Sequence, residues 1–100
     1  MTGSEREYED LVRSLGCIVC RRLGHGPTPA EFHHLREGAG ASQKNSNTVG
    51  IPLCHAHHRT GGPGVALHAG QQTWESLYGT EMQLLGLTIL DAFLAAKAMF

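Results

Sequence analysis

The sequence predicts a small α+β fold in a single domain, 1–100, with a hairpin and a short helix pinned together by ligand-type side chains and helices at both ends. Three observations predict it. Tyr8, Leu11, Val12 and Leu15 recur with the helical period near the N-terminus. Two short runs with strand character follow, at 30–35 and 49–53. All three cysteines and all seven histidines lie between Cys17 and His68.

The first helix is placed at 4–16. Ser4 is followed three residues later by Glu7, a capping-box signature, and Gly16 suits the position just past a helix end. Cys17 to Cys20 reads as a tight turn, and Pro27 and Pro29 as loop. Ala30 to Leu35 forms the first strand. The Gly/Ala/Ser stretch from Gly38 to Lys44 reads as the tip or exit of a long hairpin. Val49, Ile51 and Leu53 alternate as a second strand, and Pro52 places it at an edge or a bulge. A short helix begins around Cys54 to His58 and is broken by Gly61-Gly62-Pro63-Gly64. The central unit therefore spans 17–72 and the C-terminal helices 73–100. Trp74, Leu77 and Tyr78 share one helix face and read as core. Leu84 to Phe100 is apolar nearly all round, with Gly79 and Gly86 as interruptions.

Composition narrows the function. The formal net charge is -1, so the whole chain is no polycation. From Cys17 to Thr60, however, Arg21, Arg22, Arg36, Lys44 and Arg59 outnumber Glu31 and Glu37, a locally basic stretch suited to phosphate. An odd cysteine count argues against a disulfide framework. No secretory leader is read at the N-terminus, and Thr88, Asp91 and Lys97 argue against a membrane span in the apolar tail. The expected compartment is the cytoplasm.

Cys17-x2-Cys20 is followed, after 33 residues, by Cys54-x2-His57. Two residues between ligands let both side chains of a knuckle reach one tetrahedral centre, and two knuckles complete four-coordination. The expected ion is a structural Zn2+. His57 is the least secure of the four ligands, because His55 and His58 stand beside it. Zinc modules that only bind nucleic acid or protein use the same spacing.

A purely structural zinc unit has no need of His33, His34, His58 and His68. Adjacent histidines on a strand point to opposite faces, so one of His33 and His34 can hold a metal while the other reaches a water. His58 sits on the opening turn of a helix and can face the hairpin. A metal held by few neutral protein ligands keeps positions open for water and phosphate.

The string Cys17-x2-Cys20, His33-His34-Leu35, a Gly-rich loop with Lys44, then Ile51-Pro52-Leu53-Cys54-x2-His57-His58 resembles the zinc-containing HNH, or ββα-metal, family over roughly residues 17–80. It is most similar to phage-type recombination-enhancement nucleases of the Ref kind. The resemblance implies a hairpin and helix around one catalytic divalent metal, Mg2+, Mn2+ or similar. His33 and His58 are then metal ligands and His34 the general base. The implied reaction is hydrolysis of DNA phosphodiester bonds, in phage or prophage DNA processing or recombination. His68 gains a metal-related role by the same resemblance; it can equally steady the turn before the next helix. The middle asparagine of the motif falls to Asn47 or Asn45, although Asn47 stands seven residues before Cys54, farther than is usual. In a nuclease, Arg36, Lys44 and Arg59 hold phosphates, and Arg21 and Arg22 can also reach DNA. Ordinary surface charge is the alternative for each. The apolar tail is either packed beneath the metal site or open to a second copy. A homodimer or a phage or recombination protein is the expected partner besides DNA. The competing function is a non-catalytic zinc module that binds nucleic acid or a protein.

Overall fold

The computed structural model describes residues 3–35 and 49–99. Arg36, Lys44, Asn45, Asn47 and the Gly-rich loop fall outside the described residues. The architecture is α+β: a two-stranded antiparallel sheet with helices on both sides of it in sequence.

Helix α1 spans Gly3–Ser14. Its apolar stripe packs as the periodicity demands: Tyr8, Leu11, Val12 and Leu15 meet Phe32 and Ala92. Gly16 stops it with φ +82, a left-handed conformation that disfavours a Cβ. The expected tight turn at Cys17 is instead the entry to a short helix, α2, Ile18–Arg22. Cys17 caps it, its sulfur accepting from the Cys20 main-chain N at 3.5 Å. A residue that caps a helix and faces a ligand cluster does both through one sulfur, which is why spacing alone read it as a turn.

Strand β1, Glu31–His34, pairs with β2, Gly50–Leu53, in the register Glu31 to Leu53 and His34 to Gly50. Leu35 N donates to Val49 O at 3.0 Å. Bonded and non-bonded pairs alternate from there, so Pro52, opposite Phe32, falls at a non-bonded position where no N–H is needed. Gly50 is compulsory: a Cβ there would stand 2.2 Å from the Phe32 ring and 2.6 Å from His33 O. Every residue of β2 is buried, although alternation predicts one exposed face. The reason is packing, since α1, α2 and a C-terminal helix all reach this strand.

After β2 comes a π-helical turn, Ala56–Thr60, closed by Gly61 N donating to Ala56 O at 2.9 Å. A 3-10 turn, Leu67–Ala69, leads into α3, Gln71–Tyr78. Trp74 is buried and stacks edge-on with Tyr78, but Leu77 is 60% exposed and is not core. Helix α4 spans Glu81–Met99 and begins with a reciprocal capping box, Thr80 N to Gln83 Oε1 at 2.9 Å and Gln83 N to Thr80 Oγ1 at 3.1 Å. Gly79, at φ +106, separates the two helices as expected. Gly86 does not interrupt α4. One glycine costs a helix only about 1 kcal/mol, and the stripe Leu84, Thr88 and Ala92 buries against the body on either side of it. The other face of the tail, including Ile89, Leu90, Phe93 and Leu94, is exposed. Among the described residues, no helix is long and apolar enough to cross a membrane.

Candidate metal centre

The four buried side chains Cys17, Cys20, Cys54 and His57 converge, their ligand atoms within 4.8 Å of one another. The capped first turn of α2 presents Cys17 and Cys20. The end of β2 and the π turn present Cys54 and His57. The Cys20 and Cys54 sulfurs are 3.8 Å apart, and His57 Nδ1 lies 3.7, 3.5 and 3.2 Å from the sulfurs of Cys17, Cys20 and Cys54. All three cysteines are free of disulfides. Zn–S bonds near 2.3 Å and Zn–N bonds near 2.0–2.1 Å in a tetrahedron imply edges of about 3.8 Å between sulfurs and about 3.6 Å from sulfur to nitrogen. The donor set and its spacing therefore fit a structural metal such as zinc. Burial pushes the Cys17 thiol up to about 12, against the pull of main-chain N–H groups of Cys20 and Cys54. A cation reverses that preference by stabilising thiolate. Burial also lowers His57, keeping it neutral and able to donate a lone pair. His55 is exposed and stands outside the group, whereas His57 is buried within it.

A second group, His33, His58 and His68, also has its ligand atoms within 4.8 Å. Strand pleating turns His33 away from α1 and toward the π turn. His33 Nδ1 faces His58 Nε2 at 3.1 Å, and the His68 ring lies 4.5 Å from that of His58 and 5.7 Å from that of His33. His33 and His58 are buried, and His68 is exposed. The residue pair His57-His58 thus sends one ring into each group. The angle between successive side chains on a helical turn separates the two rings, and the turn that carries them is π-helical.

His34 takes the opposite face of β1 with Phe32, against which its ring packs edge-on at 4.9 Å. It is half-exposed, and its Nε2 lies 3.7 Å from the buried Glu9 carboxylate on α1. His34 still borders a cavity of about 250 Å³ shared with His33, His58, Arg59 and His68. A second cavity, about 370 Å³, lies across His33 and His68 and is lined by Gln71 and Glu81. Arg59 is exposed, its Nε 3.6 Å from Glu31. Arg21 Nη1 pairs with Asp91 on α4 at 2.9 Å, tying α2 to that helix. Arg36, Lys44 and Asn47 lie outside the described residues.

Sequence reasoning missed the carboxylates. Each central histidine has one: His33 Nε2 donates to Glu81 Oε2 at 2.8 Å, His58 Nδ1 donates to Glu31 Oε1 at 2.7 Å, and His34 faces Glu9. The His58 hydrogen bond holds the Glu31 carboxyl below the usual range. Burial lowers His58, although Glu31 pulls it the other way. Strand alternation, which puts Glu31 and His33 on one face, was a usable signal for Glu31. Thr80-x-x-Gln83 marks the helix start that presents Glu81, but no local pattern ties it to His33.

The family model for recombination enhancement, RecA-dependent nuclease, matches residues 1–92. No match is found among the curated proteins.

Proposed function

Because the chain belongs to the recombination-enhancement, RecA-dependent nuclease family, we propose that it is a metal-dependent endonuclease of the HNH, ββα-metal type, hydrolysing DNA phosphodiester bonds. The observation that carries this reading is the existence of two separate ligand groups. One is closed and all buried; the other has an exposed member and a cavity beside it. Strand β1 supplies His33 and the turn after β2 supplies His58, with His68 added by the 3-10 turn, an arrangement that supports the ββα-metal reading.

In this reading, Cys17, Cys20, Cys54 and His57 hold zinc and keep the hairpin, α2 and the π turn in place. His33 and His58, with His68, hold the catalytic divalent ion. When bound, such an ion stabilises negative charge developing on the phosphate and the leaving oxygen. His34, on the rim of the same cavity, takes the proton from the attacking water. Glu9 stands near enough to steady the imidazolium that results. Arg59 projects from the π turn to meet a neighbouring phosphate, and Arg36 and Lys44 do the same from outside the described residues. Asn47 orients the base. A single domain acting in the cytoplasm, with RecA as its recombination partner, completes the proposal.

The test is plasmid nicking with Mg2+ or Mn2+, with and without RecA. The wild-type chain should cut, and His34→Ala should slow cutting by about 10²- to 10⁴-fold, the usual worth of a general base. Failure of the wild type to cut under every metal, with RecA present, would leave a non-catalytic zinc module. Undiminished cutting by His34→Ala would remove that residue from the mechanism.

A further inference from the structure

We infer that Glu81 is a positioning residue for the second metal: it fixes His33 in the tautomer whose Nδ1 carries no hydrogen and aims that nitrogen at the ion. This rests on the metal-dependent reading above and adds to it a residue outside the ligand set.

The Glu81 side chain is 1% exposed, yet it has an acceptor's partners at both oxygens. Oε2 receives His33 Nε2 at 2.8 Å, and Oε1 receives the Gln71 amide. Its own main-chain N donates to Glu75 Oε2 at 2.7 Å. The Thr80–Gln83 capping box sets the helix turn it starts from. The carboxylate is therefore held at its oxygens and at its backbone. A carboxylate accepts hydrogen bonds and does not donate them, so the hydrogen of a neutral His33 resides on Nε2.

The same logic applies to His58, whose Nδ1 gives its hydrogen to Glu31 at 2.7 Å. With both hydrogens committed outward, Nδ1 of His33 and Nε2 of His58 face each other as two lone pairs across 3.1 Å. Two bare acceptors repel at that distance unless a cation joins them. At metal–nitrogen distances of about 2.0–2.1 Å, adjacent ligands stand about 2.9 Å apart at a right angle and about 3.35 Å apart in a tetrahedron. The observed gap lies between those values. Carboxylates behind metal-bound imidazoles fix ring orientation and raise ligand basicity. Of the two, Glu81 is the firmer anchor. Glu31 is half-exposed and also lies 3.6 Å from Arg59.

The experiment has two readouts on the zinc-loaded chain. Long-range proton–nitrogen NMR of the imidazoles should show His33 with hydrogen on Nε2. Calorimetric titration with Mn2+ should show Glu81→Gln binding about 10- to 100-fold more weakly than wild type, with zinc content and circular dichroism unchanged. Wild-type affinity in Glu81→Gln would overturn the proposal while leaving the nuclease reading intact. Should Glu81→Gln fail to fold, the wild-type spectrum decides: hydrogen on His33 Nδ1 overturns the role and hydrogen on Nε2 supports it. A wild type that binds no Mn2+ at all overturns the metal-dependent reading, and this proposal falls with it.

Discussion

The cysteine-rich group and the all-histidine group are neighbours along the chain, since His57 belongs to one and His58 to the other, but they are built differently. In the first, four buried side chains from two knuckles face inward and leave no side open to solvent. In the second, two buried imidazoles and one exposed imidazole stand between two cavities, with a carboxylate behind each buried ring. Closure suits a metal that stabilises the fold, and access suits one that meets a substrate. The contrast teaches that ligand type matters less than what surrounds it.

The largest effect expected from that contrast is at the closed group. Cys54→Ser should lose the tightly held zinc and with it cooperative folding, because structural zinc binding is worth on the order of 10 kcal/mol of apparent folding energy. Metal analysis and a thermal melt followed by circular dichroism check this. Retained native structure in that variant would break the distinction between the groups. A large but purely functional effect is expected at the open group. His58→Ala should abolish measurable Mn2+ binding while keeping one zinc per chain, the count that a four-ligand centre implies. Loss of the zinc as well would show that the two centres are one.

Acid sharpens the comparison at a smaller scale. Burial holds His58 below the ordinary histidine value. Between those two values the unfolded chain binds more protons than the folded one, so stability rises with pH through that window. Acidification from neutral to below about pH 6.5 should therefore lower the melting temperature of the zinc-loaded protein. His58→Gln should flatten that slope. Glu31 acts in the same direction at lower pH: its carboxyl is held down, so its contribution is present above the usual carboxylate value and is lost as pH falls through the folded value. The smallest effect belongs to the rim. Arg59 is exposed, so Arg59→Ala should weaken DNA binding modestly and reduce the salt dependence by about one charge's worth. Binding isotherms at several salt concentrations measure it.

The closed group was legible because its information is local. Two knuckles each keep two residues between ligands, and any fold that brings Cys17 near Cys54 completes the set. The convergence of the open group was legible in its members, because histidine is a ligand-type residue and strand pleating separates His33 from His34. Its supports were not. Glu81 is 48 residues from His33, and Glu9 is 25 residues from His34. Only the docking of α4 and α1 on the sheet brings them in. Leu77 and Gly86 failed for a related reason, since which face of a helix is covered, and whether a glycine ends it, depends on what packs there. Apolar content alone could not say that Leu84, Thr88 and Ala92 would be covered while Phe93 and Leu94 would not.

On the π-helical turn at Ala56–Thr60 the two side-chain groups meet at adjacent residues, so their closest approach along the chain is set by covalent geometry. Consecutive Cα atoms sit about 3.8 Å apart across a trans peptide, and His57 and His58 have nothing between them to absorb drift. Loops elsewhere can lengthen or shorten without changing the spacing of these two rings along the chain. A single residue inserted at that one junction would throw both out of register at once.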